Sequence, residues 1–80
     1  MIPIDNDDLV EYYNRLIMYY NFLFEQYPDV VKVKTLKRML PKMGKNKIYK
    51  LLQDKEIYSK RIGRIYYIPK ISVIEYLIKK

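Results

Sequence analysis

The few prolines and glycines of this sequence divide it into segments, each of which must form its own structure. The 80 residues include four prolines and two glycines, and these residue types end helices or permit tight turns. The segment from Leu9 to Tyr27 contains neither proline nor glycine, and Pro28 follows it. The range 41–44 marks a turn, and Gly63 and Pro69 lie at the two ends of a β-prone run. Because 80 residues is below the usual domain size, we expect short elements around one small core.

The first long segment has the pattern of an amphipathic helix. Asp5-Asn6-Asp7-Asp8 supplies capping side chains and places negative charge at a helix N-terminus, where the helix dipole favours it. Apolar residues then recur at alternating steps of four and three, the spacing of a heptad: Leu9, Tyr13, Leu16, Tyr20, Leu23 and Tyr27. Val10, Ile17 and Phe24 widen this stripe. We predict one helix from Leu9 to Tyr27, ended by Pro28.

This stripe has two interpretations, because it carries more apolar surface than one packed face needs. The helix covers the core of its own domain, or it pairs with a second copy of the chain in a homodimer. In both cases residues 1–28 form an acidic, tyrosine-rich accessory helix, and residues 29–80 form the basic domain.

The middle of the chain predicts two short helices joined by a tight turn. Residues 29–33 are an extended segment, and residues 34–40 form a helix with Leu36, Met39 and Leu40 inward. After the turn at 41–44, residues 45–54 form a second helix whose inward residues are Ile48, Leu51 and Leu52. Such a pair is a helix-turn-helix candidate.

The end of the chain predicts a β-hairpin and a closing helix. The runs 57–62 and 65–68 are β-prone, and Gly63-Arg64 between them permits a type II′ turn. The closing helix turns Ile71, Val73, Ile74, Leu77 and Ile78 inward. The expected fold class is therefore mainly α with a small β-hairpin and an additional N-terminal helix.

Charge is divided unevenly along the chain. Residues 1–31 hold one cation and six acids, a net charge of −5, whereas residues 32–80 hold fifteen cations and three acids, a net charge of +12. A basic domain of this kind suits a polyanionic partner, because lysines and arginines near phosphates release condensed counterions. The sequence has no cysteine and no histidine, which excludes disulfides, zinc fingers and imidazole-assisted nucleophiles. We expect a non-enzymatic protein that needs neither a cofactor nor a metal.

Three stretches resemble the excisionase family and the related MerR-like winged helix-turn-helix domains. Val33 to Leu40 is similar to the family's first helix, and Ile48-Tyr49-Lys50-Leu51-Leu52 to its second. Arg61-Ile62-Gly63-Arg64-Ile65-Tyr66-Tyr67-Ile68-Pro69 is similar to its wing and is the most specific of the three. The resemblance covers about residues 27–78. The sequence departs from the family pattern at four positions. Pro41 is inserted into the turn, Lys42 stands where the turn often has Gly, and Gly44 stands where Ser or Thr often caps the second helix. Ile65 stands where a basic residue is common in the wing.

The resemblance implies a double-stranded DNA-binding protein that controls the direction of site-specific recombination in a mobile element. Its partners would be DNA and an integrase or recombinase. The residues expected to contact DNA are Lys34, Lys45, Asn46, Lys47, Lys50, Lys60, Arg61 and Arg64. Tyr49 and Tyr66 are expected to brace the second helix against the hairpin.

Two other functions remain open at the level of sequence. One is a small transcriptional regulator, since a fold does not settle a function. The other is a protein-interaction module that uses the tyrosine-rich helix. The N-terminus lacks the pattern of a signal peptide, and no apolar run approaches the roughly 20 residues of a membrane span. A cytoplasmic protein without membrane contact is therefore expected.

Overall fold

The computed structural model describes residues 6–79, which form four helices and a small three-stranded antiparallel sheet. In chain order these elements are α1 (Asn6–Leu23), β1 (Val30–Val31), α2 (Val33–Met39), α3 (Lys45–Gln53), β2 (Lys60–Ile62), β3 (Ile65–Pro69) and α4 (Lys70–Lys79). The predicted order of elements is confirmed, and the predicted hairpin gains a third strand, β1. The expected capping residue Asp5 lies outside the described residues. Within residues 6–79, no helix has the length and apolarity that crossing a membrane requires.

The sheet places β3 in the centre, between β1 and β2. Val31 lies opposite Ile68 in one pair, and Arg61 lies opposite Tyr66 in the other. Ile62 pairs with Ile65, so Gly63 and Arg64 form a two-residue loop. Gly63 has a φ of +64°, the positive value that the predicted type II′ turn requires of its first loop position.

The first hairpin strand is shorter than predicted, because Ile57 and Tyr58 use backbone groups for hydrogen bonds outside the hairpin. The N–H of Ile57 donates to the carbonyl of Leu51, at the end of α3. The buried hydroxyl of Ser72 has the carbonyl oxygens of Tyr58 (2.8 Å) and Pro69 (2.7 Å) as its acceptors. Pro69 has no N–H, so it cannot donate a hydrogen bond that would extend the pairing of β2 with β3. The predicted strand from Ile57 is therefore wrong in its first three residues.

One hydrophobic core joins the sheet and all four helices. Leu77 and Ile78, which were predicted to point inward, are half-buried against this core. Its fully buried residues include some of the predicted inward positions of α2, α3 and α4. They are Val31, Leu36, Ile48, Leu51, Ile57, Ile68, Val73 and Ile74. Phe24, which follows α1, belongs to the same core. Ile71 was expected to point inward but is exposed, and it borders a cleft against Tyr13 and Ile17 of α1.

The end of α1 differs from the prediction, because the helix stops at Leu23 rather than at Tyr27. Residues 24–27 form turns in which Tyr27 N–H donates to the Phe24 carbonyl at 3.0 Å. The Lys70 Nζ, on a half-buried side chain, then donates to the carbonyl oxygens of Tyr27 at 3.0 Å and Phe24 at 3.5 Å. Lys70 N–H also donates to the Asp29 carbonyl at 2.6 Å. Lys70 therefore ties the end of α1 to the start of α4.

Replacement of Lys70 by methionine should lower the free energy of unfolding by about 1–3 kcal/mol, because two carbonyls lose a charged donor. Methionine keeps the length of the apolar stem. Urea denaturation followed by circular dichroism measures the change. Lys79→Met, at the exposed end of α4, is the matched control and should have little effect. Equal losses in both variants would contradict a structural role for the Lys70 ammonium.

The C-terminus of α3 is closed by a Schellman motif built around a non-glycine residue. Lys55 N–H donates to the Leu52 carbonyl at 3.2 Å, and Glu56 N–H donates to the Leu51 carbonyl at 3.0 Å. These bonds hold Lys55 at a φ of 60°, in the left-handed region that favours glycine. Lys55 is exposed, and its residue type does not indicate this conformation.

Replacement of Lys55 by glycine should raise the free energy of unfolding by about 1 kcal/mol, because glycine has no Cβ to strain in the left-handed region. Lys55→Ala removes the same charge and keeps the Cβ. It should therefore leave the stability close to that of the wild type. Thermal melts of the three proteins would contradict the assignment if both variants shifted equally.

Candidate nucleic-acid interface

The outward face of α3 carries polar side chains that its own packing leaves exposed. Ile48, Leu51 and Leu52 are buried and fix the rotation of the helix. Asn46 and Lys50, two positions before and after Ile48, therefore lie almost opposite the core, one helical turn apart. Both side chains are exposed. An external ligand can therefore reach both side chains.

Two aromatic rings connect α3 to the hairpin. The centroids of the Tyr49 and Tyr66 rings lie 6.1 Å apart in an edge-on arrangement. Tyr66 is buried, and the guanidinium of Arg61 lies over its ring with Cζ 5.4 Å from the centroid. Arg61 Nε also donates to the carbonyl of Gly63 at 3.0 Å. Arg61 is thereby held on the face of the hairpin that packs toward α3, and the predicted bracing role of the two tyrosines is confirmed.

The two predicted cations of β2 lie on opposite faces of the hairpin. Arg61 is opposite the buried Tyr66, whereas Lys60 is opposite Tyr67. Since successive side chains of a strand alternate between faces, Lys60 shares the outer face with Tyr67. The ammonium of Lys32 lies 5.9 Å from the centroid of the Tyr67 ring on that face. The structure therefore places Lys60 on the same face of the sheet as the Lys32 ammonium, and Arg61 on the other face.

The other predicted cations are spread around the domain. Arg64 is exposed in the hairpin loop, Lys45 begins α3, and Lys34 lies in the first turn of α2. Lys47 points to a different side of α3 from Asn46 and Lys50. It borders a surface cavity of about 390 Å³ that is also lined by Glu56, Tyr76 and Lys79. Lys47 is thus exposed as predicted, but it lies apart from the outward face of α3.

The electrostatics of this region favour an anion. Residues 32–53 hold eight cations and no acid. Among residues 6–79, the ion pairs are Arg15 with Glu11 and Lys70 with Asp29, so none involves a predicted DNA-contacting residue. The first turn of α3 contains Lys45 and Lys47 and no acidic residue. Cations there oppose the helix dipole, an arrangement that a bound phosphate would relieve.

Comparison with protein-family models, curated proteins and solved structures gives no match. The geometry of α3 and of the β2–β3 hairpin defines the candidate interface. Within the described range 6–79, no group of three acidic, histidine or cysteine side chains is placed to hold a metal ion.

Two further residues of the interface were missing from the predicted set. Gln53 lies seven positions after Asn46 and is exposed on the same face of α3. Its spacing from Asn46 and Lys50 could have identified it. Lys32 precedes α2 and reaches the outer face of the hairpin through Tyr67. No local sequence signal indicates that contact, because it depends on the pairing of β1 with β3.

Proposed function

We propose that the chain binds double-stranded DNA as a winged helix-turn-helix domain. In this assignment α2, the turn at 40–44 and α3 are the helix-turn-helix, and the β2–β3 hairpin is the wing. The main support for this proposal is that Asn46 and Lys50 lie on an exposed face of α3. The same helix contacts the basic hairpin through the rings of Tyr49 and Tyr66, and Arg61 lies over the Tyr66 ring. That contact keeps α3, which we assign to the major groove, at a constant distance from the hairpin, which we assign to the adjacent minor groove.

In the proposed complex, α3 enters the major groove with its outward face toward the base edges. Asn46 makes the paired hydrogen bonds that distinguish adenine, and Lys50 reaches a guanine edge or a phosphate. Arg64, at the tip of the hairpin, enters the minor groove, where the narrow groove of A-tracts concentrates negative potential.

The remaining cations position the domain without reading sequence. Arg61, Lys60 and Lys34 are proposed to contact phosphates, as most protein–DNA hydrogen bonds do. Because Lys60 and Arg61 lie on opposite faces of the hairpin, they contact phosphates on different sides of the wing. Lys45, in the first turn of α3, is proposed to contact a phosphate at the edge of the major groove.

The biological role that we propose is control of the direction of recombination in a mobile element. It is supported by the resemblance of residues 61–69 to the wing of excisionases. The protein would bind beside an attachment site, bend the duplex and recruit an integrase. Phasing gels that show straight DNA in the complex would exclude the bend. Transcriptional regulation is the alternative, and dependence of excision on this protein in a reconstituted recombinase reaction separates the two.

Selection from a random duplex pool, followed by fluorescence anisotropy at two salt concentrations, tests DNA binding. We expect a defined enriched motif and an affinity that falls steeply as salt rises, because phosphate contacts release counterions. Lack of an enriched motif, with weak binding that is equal for all duplexes, would exclude sequence-specific recognition. A protein-interaction function of α1 would then be favoured by the exposed apolar side chains of that helix.

A further inference from the structure

The outer face of the hairpin, which carries Lys60 and Tyr67, ends in an exposed pair of isoleucines beside the loop. Ile62 lies opposite Ile65 in the last pair before the two-residue loop. Because side chains two positions apart in a strand share a face, Ile62 lies on the face of Lys60, and Ile65 on that of Tyr67. Ile62 is 58% exposed and Ile65 44%. The hairpin therefore presents apolar surface to solvent at its tip.

Packing and strand formation do not account for this pair. The inner face of β3 holds the hairpin on the domain, because Tyr66 and Ile68 are buried in the core. Strands favour β-branched residues, but threonine meets that preference with a polar side chain. Within the described chain the loop is also open, since no atom beyond Gly63 and its two chain neighbours lies within 4 Å of where a Cβ of Gly63 would stand. A ligand from outside the domain can therefore reach the two isoleucines.

The charges around the isoleucine pair favour a polyanionic ligand. No residue of the three strands is acidic. Lys60 and the Lys32 ammonium lie on the outer face, and Arg64 is exposed in the loop. The acids closest in sequence to β1 and β2 lie elsewhere. Asp29 is at the opposite end of the sheet from the loop, and Glu56 borders the cavity beside α4. The apolar pair is thus bordered by cations alone, as a surface that contacts sugars between phosphates would be.

We propose that Ile62 and Ile65 pack against deoxyribose rings of one DNA strand when Arg64 enters the minor groove. This inference rests on the proposed DNA binding and adds the sugar to the groups that the wing recognises. With the tip of the hairpin in the groove, side chains that stand perpendicular to the sheet beside the loop face a wall of sugar rings. The pair disfavours ribose, because the 2′-hydroxyl lies in the minor groove and would lose its water against an apolar surface.

Replacement of both isoleucines by threonine tests the contact, because threonine keeps the β-branched shape and adds a hydroxyl. Ile62→Thr/Ile65→Thr should bind the selected duplex roughly tenfold more weakly at every salt concentration. The salt dependence of log K should equal that of the wild type, since no cation is lost. Val30→Thr is the matched control. Val30 is 51% exposed and lies opposite Pro69, at the other end of the same face, and its replacement should leave the affinity unchanged.

Each of the other results overturns the proposal in a different way. If the wild type binds its selected duplex and Ile62→Thr/Ile65→Thr binds it equally well, the isoleucines do not contact DNA, although the DNA-binding function stands. A wild type that selects no duplex would exclude both the function and this contact. An equal loss in Val30→Thr would show that the effect is not located at the tip. In sedimentation without DNA, a wild-type dimer that the double variant converts to a monomer would assign the pair to a second copy of the chain.

Ribonucleotides test whether the contacted group is the sugar. Single nucleotides of the selected duplex are replaced in turn by ribonucleotides, and fluorescence anisotropy measures the affinity for each duplex. The wild type should lose affinity at one or two positions under the wing. Ile62→Thr/Ile65→Thr should lose less there, because a threonine hydroxyl can hydrogen-bond to the 2′-hydroxyl, whereas a change in duplex shape affects both proteins alike. Equal losses for the two proteins at every position would overturn the deoxyribose contact.

Discussion

The Asn46→Ala variant is expected to lose discrimination at one base pair of the selected DNA motif, whereas Arg61→Ala/Arg64→Ala weakens binding to every duplex. Removal of a paired base contact costs about 1–3 kcal/mol, roughly 5–150-fold in affinity, and only for the preferred base. Removal of two cations that contact DNA through phosphates and the minor groove should lower the salt dependence of log K by about two. Anisotropy titrations with the selected duplex and a single-base variant, each at several salt concentrations, separate the two effects.

Lys47→Ala is the matched control for these titrations. Lys47 lies in the same helix and carries the same charge as Lys50, but it borders a surface cavity with Glu56 and Tyr76 and lies off the outward face of α3. Its removal should leave base preference intact, whereas Lys50→Ala should weaken binding to the selected duplex. If Lys47→Ala abolished the preference and Asn46→Ala did not, the proposed docking face of α3 would be wrong.

Replacement of Phe24 by alanine is expected to have the largest effect on stability of any change near the N-terminus. The side chain is 5% exposed and belongs to the main core. Loss of a buried phenylalanine costs about 3–5 kcal/mol, a large part of the roughly 5–15 kcal/mol that stabilises a domain. Phe22→Ala, at a position that is 77% exposed, should change the free energy of unfolding little. Urea denaturation of both variants measures the contrast.

The chain offers an unusually direct comparison here, because Phe22 and Phe24 are its two phenylalanines. Similar denaturation midpoints for Phe24→Ala and the wild type would show that the end of α1 contributes nothing to the core. A loss confined to Phe24→Ala would show that the first helix and the basic region share one cooperative core.

The order of helices and strands was predictable because its signals are local. Pro41, Gly44 and Gly63 mark turns that the structure contains, and the three-to-four spacing of Ile48, Leu51 and Leu52 predicted the buried face of α3. The end of α1 was mispredicted, because Lys70 binds carbonyls that lie more than forty residues earlier in the chain. Neither that contact nor the pairing of β1 with β3 follows from periodicity.

The sequence predicted which residues form the candidate site, but it did not predict how those residues are arranged around the domain. The α3 positions follow from helical spacing once Ile48 is known to be buried. The separation of Lys60 from Arg61 depends on which face of β2 packs inward, and the buried Tyr66 decides it. For α1, the heptad spacing identified an apolar surface. Which residues the domain covers depends on the position of α4, and the sequence of α1 alone contains no information about that position.

The contacts of Lys70 also affect when the first part of the chain can fold during synthesis. Residues 24–31 complete their packing only when residues 68–70 are present, because Val31 pairs with Ile68 and the Phe24 and Tyr27 carbonyls bond to Lys70. At translation rates of about 5–20 residues per second, the forty residues between position 30 and position 70 take roughly 2–8 s to emerge. During that interval the apolar side chains of α1 are not yet covered by α4, and chaperones and neighbouring nascent chains can contact them.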